Sequence, residues 1–261
     1  MQNPDASSVT TKSCILNKMK CLQLPLPVRK TPVFIIADVH ANLPALVAVL
    51  NSIPAGADIL CAGDLLGYYT EPNEVCRLLI ERKVHCIKGN HDKYVLGELE
   101  YPQSRESKYR IQQTRDALHL ENLEWVASLP DAIDVTFTLN SDDGPQTICR
   151  LKIAHGSPNN AEEYIYKNTD IEFSWPDQTE YLVLGHTHHP MQRALDSGII
   201  INPGSVGQAR DRIPGACYAA FNPVVKKVEF FRAKYDIESY QKKLRDHCIQ
   251  DAMIEILSRT S

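Results

Sequence analysis

Val33-Phe34-Ile35-Ile36-Ala37-Asp38-Val39-His40 is a run of five apolar residues that ends in an acid and a histidine two places apart. A short apolar run, rich in β-branched and aromatic side chains and halted by polar ones, reads as a fully buried strand. A helix follows it. Asn42 is a good N-cap, and Leu43, Leu46, Val47 and Leu50 recur on one helical face. The alternation continues with a strand over residues 58–61, a helix after Pro72 marked by Val75, Leu78 and Leu79, and a third strand over 84–87. Strands alternating with short helices predict crossover connections and a largely parallel sheet.

Further along, the pattern changes. Residues 104–129 read as mostly helical, with Ile111, Leu118, Leu123 and Val126 as core contacts. Strand-like runs then follow with little helix between them, over 133–139, 147–154, 181–184, 198–201, 216–221 and 227–231. Asn140-Ser141-Asp142-Asp143-Gly144-Pro145 is a strong turn signal between the first two. These runs predict a second, mostly antiparallel sheet packed on the first, closed by a helix over 237–257. In the other direction, residues 1–31 are rich in Ser, Thr, Lys and Pro and lack sustained periodicity. They are expected to be a loosely ordered N-terminal extension, with 32–261 as a single α/β domain.

Composition narrows the function. Of 261 residues, 43% are hydrophobic and 23% charged, enough apolar content to bury a core and too much for a disordered chain. The longest apolar runs are too short to span a bilayer, so no membrane partner is expected. A net charge of −4 argues against a dedicated nucleic-acid binder, which carries a basic footprint. Of the eight cysteines, Cys61, Cys86, Cys149 and Cys217 sit in strand-like runs, Cys76 and Cys248 in helical patterns, and Cys14 and Cys21 in the leader. No CxxC pair occurs, so the thiols are expected to be free, as a reducing compartment allows. The leader has no unbroken apolar stretch ending in a small-residue cleavage site. A cytoplasmic location follows as the expectation.

Five polar motifs each follow an apolar run: Asp38-Val39-His40, Gly63-Asp64, Gly89-Asn90-His91-Asp92, His155-Gly156 and Gly185-His186-Thr187-His188. Carboxyl ends of strands are where ligand sites assemble in α/β sheets. Carboxylate, imidazole and carboxamide together suit Mn, Fe, Ni or Zn ions. A lone DxH usually marks a solvated loop; five such pieces in order point to one shared metal site. Alternation within Asp38-Val39-His40 and within His186-Thr187-His188 puts each pair on one side, if those segments are extended.

The order DxH, GD, GNHD, H and GHxH resembles the calcineurin-like metallophosphoesterase superfamily across residues 33–205. Gly63-Asp64-Leu65-Leu66-Gly67-Tyr68, Asn202-Pro203-Gly204-Ser205-Val206-Gly207 and Tyr235-Asp236 are similar to its small prokaryotic phosphodiesterase branch. The resemblance implies two facing mixed β-sheets flanked by helices in a four-layer sandwich. It also implies two divalent metal ions, manganese first, with iron, nickel or zinc as alternatives. Asp38, His40 and His188 would hold one ion, Asn90, His155 and His186 the other, and Asp64 would bridge them. A metal-bridging hydroxide would attack phosphorus. His91 would protonate the leaving oxygen or bind substrate beside Asn90, with Asp92 orienting its ring and raising its basicity.

Tyr68 and Arg210 are candidate substrate contacts, with packing and a surface pair with Asp211 as the respective alternatives. Tyr69 is weighed like Tyr68, while His189 reads as rim, His85 as packed in its strand, and His119 and His247 as surface residues. The expected partner is a small phosphate ester, phosphodiesters first and phosphomonoesters second. Serine/threonine phosphoprotein phosphatases carry arginines where Tyr68 and Lys88 stand here, which lowers that reading because lysine does not replace a bidentate guanidinium. A non-catalytic scaffold on the same fold is the other alternative, and oligomeric state stays open.

Overall fold

The computed structural model describes residues 19–260. Its elements, in chain order, are β1 (Cys21–Pro27), β2 (Val33–Ile36), α1 (Leu43–Ser52), β3 (Ile59–Cys61), α2 (Pro72–Glu81), β4 (His85–Cys86), α3 (Asn90–Leu96), α4 (Glu106–Tyr109), α5 (Ile111–Ala117), α6 (Leu120–Ser128), β5 (Ala132–Ser141), β6 (Gly144–Ile153), β7 (Tyr181–Val183), β8 (Met191–Leu195), β9 (Gly198–Asn202), β10 (Ala216–Asn222), β11 (Lys227–Ala233), α7 (Ile237–Asp246) and α8 (Asp251–Glu255). None of the described helices is long and apolar enough to cross a membrane.

Two mixed sheets face each other. One has the order β11-β10-β2-β3-β4 and the other β1-β5-β6-β7-β9-β8. Between them lies an apolar layer that includes Ile35, Leu60 and Phe221 from the first sheet and Val135, Phe137 and Ile153 from the second. The outer face of the five-stranded sheet is covered by helices, with Leu46, Val49, Val75, Leu79 and Val126 in that layer. The outer face of the six-stranded sheet carries Leu182, Leu184 and Ile200, packed by Ile165, Phe173 and Trp175 of the irregular chain between β6 and β7. As expected, Asn42 caps α1 by accepting from the Ala45 N–H at 3.1 Å.

Several expectations need correction. The strands β10 and β11 do not join the later strands; β10 pairs antiparallel with β2, which extends the first sheet. The second sheet is therefore mixed, not mostly antiparallel: β1–β5, β6–β7 and β7–β9 are parallel. Residues 21–27 are not loosely ordered, because β1 pairs with β5 along its whole length. Leu26 is buried and Leu24 half-buried on the inner layer, while Pro25 and Pro27 are tolerated on an edge strand whose outer side needs no donors. Residues 1–18 of the expected extension lie outside the described residues.

The helical stretch after residue 104 is broken, since Arg110 adopts φ 57° between α4 and α5. The closing helix likewise breaks at Cys248, φ 55°. Val47 on α1 is 38% exposed, and Val49 takes its place in the core.

Candidate active site

The motif-bearing loops assemble at the carboxyl ends of β2, β3, β4, β6 and β7. After β2 and β3 the chain runs as two parallel loops, with Asp38 N–H donating to Gly63 O at 2.9 Å, His40 to Asp64 O at 3.0 Å and Ala41 to Leu65 O at 2.8 Å. These loops are not extended. Asp38, His40, Asp64, His186 and His188 all have left-handed backbones, with φ between 50° and 65°. Each DxH or HxH pair thus converges through two left-handed residues, not through strand alternation, and the strain is held by the surrounding backbone hydrogen bonds. Glycine is required where the Asp64 and Asn90 turns press together. A Cβ on Gly63 would lie 2.6 Å from Gly89 N, and one on Gly89 would lie 2.1 Å from Asp64 Oδ1.

The Asn202–Gly207 turn clamps the other side. Asn202 Nδ2 donates to Gly185 O at 2.6 Å and to Thr187 Oγ1 at 3.0 Å, and Ser205 Oγ donates to Asp38 O at 2.7 Å.

All seven side chains assigned as metal ligands are buried and come together. Donor atoms of Asp38, His40, Asp64 and His188 lie within 4.8 Å of one another, as do those of Asp64, His155 and His186. Asp64 belongs to both groups. Its Oδ1 accepts from His91 N–H at 2.9 Å, and its Oδ2 faces His155 Nε2 at 3.3 Å and His40 Nε2 at 3.6 Å. Asn90 Oδ1 stands 3.0 Å from His155 Nε2.

The tautomers are set from behind. Nδ1 of His40 donates to Leu66 O at 2.9 Å, Nδ1 of His155 to Ala62 O at 2.7 Å and Nδ1 of His188 to Gln208 O at 2.8 Å. Backbone carbonyls of this kind orient metal-ligating histidines. In the neutral rings the Nε2 lone pairs then point inward, and those of His40 and His188 face each other at 3.0 Å. Asp38 Oδ2 and His186 Nε2 are buried with no hydrogen-bond partner. Two inward lone pairs and two orphaned acceptors in one buried space fit a cation and little else.

Electrostatics agree. Burial pushes Asp38 up to about 7 and pulls His186 down to about 3. Burial would also lower His155, but the Asp64 carboxylate, helped by Asp38, outweighs it and lifts the ring to about 9. The cluster's carboxylates attract positive charge, and a metal ion meets that demand without a proton.

His91 lies beside this cluster. Its ring stacks on Tyr68 at 4.8 Å and contacts His40 and Tyr109 edge-on or tilted at 4.9 and 4.6 Å. Burial draws it down to about 4, although Asp64 opposes this. The expectation that Asp92 orients His91 and raises its basicity is overturned. The Asp92 carboxylate is fully used by backbone donors, accepting from Leu65 N at 3.0 Å, Leu66 N at 3.1 Å and Gly89 N at 2.9 Å. It ties the Asp64 loop to the start of α3 and makes no hydrogen bond to the imidazole.

Tyr68 and Tyr69 part ways. Tyr69 is core, its hydroxyl donating to Met253 O at 3.0 Å, while Tyr68 stays over the cluster with its ring edge-on to His40 at 4.5 Å. Arg210 is not paired with Asp211, which binds Arg232 instead. Its guanidinium donates to Tyr68 Oη at 3.3 Å and to Gln208 Oε1 at 2.9 Å, beside the cluster. Lys88 points away and pairs with Glu98 at 2.8 Å. Gln208, Tyr109 and Tyr94 do not stand out in the sequence, because none belongs to a motif and their place depends on contacts across the fold. Gln208, just beyond the Asn202–Gly207 turn, and Tyr94, two residues beyond Asp92, each had a nearby signal; Tyr109 had none.

Comparison with known proteins places this geometry in a family. The family model described as "calcineurin-like phosphoesterase superfamily domain" matches residues 32–223. A protein of Methanocaldococcus jannaschii whose name carries no function is 32% identical over 237 residues, 82% of this chain and 92% of its own length. The crystal structure of a metallophosphoesterase from Sphaerobacter thermophilus is similar at TM-score 0.68 and 29% identity, covering 89% of this chain and 100% of that one. A protein of Pyrococcus horikoshii shares the fold at TM-score 0.72 and 20% identity, with 88% and 98% of the two chains covered. With the motif order, the facing sheets and the buried donor cluster in agreement with that match, the chain belongs to the calcineurin-like phosphoesterase superfamily.

Proposed function

We propose that this protein is a cytoplasmic, dinuclear metal-dependent phosphoesterase that hydrolyses phosphodiesters first and small phosphomonoesters second. The observation that carries the reading is the pair of facing Nε2 lone pairs on His40 and His188, each fixed from behind by a main-chain carbonyl. Asp38, His40, Asp64 and His188 would hold one divalent ion, and Asp64, Asn90, His155 and His186 the other. Bound there, the ions would supply Lewis acidity and an activated water, with manganese the first choice.

The chain's own residues supply the rest. Arg210 retains free N–H donors beyond its bonds to Tyr68 and Gln208, and it binds a non-bridging phosphate oxygen. Tyr68 fixes the faces of both Arg210 and His91. His91 Nδ1 is pressed towards Gly67, where a Cβ would lie 2.5 Å from it, so Nε2 is the nitrogen that handles a proton. The neutral ring takes up that proton when the anionic ester raises its pKa, and passes it to the leaving oxygen.

Metal-stripped protein reconstituted with Mn, Fe, Ni or Zn and assayed in parallel on bis(4-nitrophenyl) phosphate and 4-nitrophenyl phosphate tests this. Metal-dependent turnover with the diester favoured is expected. Stoichiometric metal uptake without turnover of either ester would move the protein to the scaffold reading.

A further inference from the structure

Between β6 and β7 the chain has no regular secondary structure, yet one stretch of it is tightly placed. Ile165 is buried in the apolar layer on the outer face of the six-stranded sheet. Its neighbours on either side, Tyr164 and Tyr166, are 45% and 43% exposed. Alternation about the buried isoleucine turns both rings outward, and they stack with centroids 5.9 Å apart and planes 8° from parallel. The stretch is pinned further on, with Tyr166 N donating to Thr169 Oγ1 at 2.8 Å and Arg193 Nη1 to Thr169 O at 2.6 Å.

The stack leads away from the metal-ligand cluster. Tyr164 lies over the His186 ring at 4.0 Å, and Tyr166 meets His189 edge-on at 5.8 Å. Beyond Tyr166 opens a cleft of about 400 Å³ whose lining includes Thr187, His189, Met191 and Gln192. That volume is in the range of small-molecule sites. Two large aromatic rings held near-parallel and half-exposed beside the metal-ligand cluster present π-faces for a planar ring. His189 and Gln192 offer polar groups that could meet its edge.

We infer that Tyr164, Tyr166 and the adjoining cleft form a subsite for a planar heterocycle carried by the phosphate ester, so that the substrate class is a small nucleoside phosphate. This rests on the phosphoesterase reading for where the phosphate sits, while Tyr166 packs on Tyr164 and His189, neither an assigned metal ligand, so its face can be probed without bound metal. With a net charge of −4, the chain suits a small nucleotide better than a nucleic-acid strand.

Two measurements separate the ring subsite from the hydrolase reading. In metal-free protein, calorimetry compares adenosine 5′-monophosphate with ribose 5-phosphate. The nucleotide is expected to bind at least about fivefold tighter, the lower end of base–aromatic stacking. Tyr166→Ala should abolish that preference and Tyr166→Phe should keep it. In manganese-loaded protein, the kcat/KM ratio of adenosine 5′-(4-nitrophenyl phosphate) to methyl 4-nitrophenyl phosphate should fall by a similar factor in Tyr166→Ala, through KM. Equal affinity for the two probes, or loss of the preference in Tyr166→Phe as well, would overturn the ring subsite. Turnover of both esters without discrimination would overturn it while leaving the hydrolase intact. A retained nucleotide preference with no turnover of any ester would do the reverse.

Discussion

Asp64 is the side chain on which the cluster turns, because it alone belongs to both donor groups. If it bridges two ions, Asp64→Asn should lose both, while His188→Ala loses one, as read by metal analysis of the purified proteins. Two full equivalents in Asp64→Asn protein would contradict the bridge. His91 should fail differently. His91→Ala should keep its metal, and its rate should drop by about 10²–10⁴-fold, most steeply for esters with poor leaving groups. A nitrophenyl ester, whose leaving group needs no proton, should be partly spared; equal loss on good and poor leaving groups would assign His91 to charge stabilisation instead. At this scale the donors were legible in the sequence, since each follows a strand and their order is fixed along the chain. The left-handed backbones that aim them were not, because five non-glycine residues at positive φ follow no local rule. Nor was the use of Asp92, whose donors Leu65 and Leu66 come from another loop.

At the scale of elements, β1 was missed for a reason the structure makes plain. Its prolines read as breakers, and only the partner β5 turns Leu24 and Leu26 into an inner face. The strand is held at its start by Asp131, whose carboxylate accepts from Lys20 N at 2.8 Å and pairs with Lys93 on α3 at 2.8 Å. Burial would raise the Asp131 pKa, but the bonds from Lys93 and Lys20 outweigh it and hold the carboxyl below its usual range. A carboxylate with a depressed folded pKa stabilises fully above its unfolded value and loses that contribution as pH falls through the folded one. Asp131→Asn keeps an oxygen that can accept from Lys20 N but loses the charge that pairs with Lys93, and, with solvent screening this half-buried site, should cost about 0.5–1 kcal/mol at neutral pH. The gap to the wild type should shrink as pH drops below about 4. Urea denaturation of both proteins from pH 7 to pH 3 measures it, and a gap independent of pH would place the effect elsewhere.

For the whole molecule, the alternating first half was readable because its contacts are between neighbours in sequence. The placement of β10 and β11 was not, since β10 must pass the entire second sheet to pair with β2. That return ties the layers together, and the cysteines report on each of them. Cys61, Cys76 and Cys86 lie between the five-stranded sheet and its helices, Cys149 lies between the two sheets, and Cys217 is buried in β10. All five are free, as are the exposed Cys21 and Cys248; Cys14 lies outside the described residues. Burial pushes Cys149 and Cys217 up to about 12, so neither offers a reactive thiolate while folded. Pulsed iodoacetamide labelling along a urea series, read by mass spectrometry, should modify Cys21 and Cys248 in the native protein. The five buried thiols should then become reactive together at one urea concentration, because the chain crosses between the sheets after β1, after β4 and again before β10, so that neither sheet is a continuous segment able to unfold alone. Labelling of Cys149 well before Cys61 would show that the six-stranded sheet opens as a separate unit, and that the return of β10 does not couple the two.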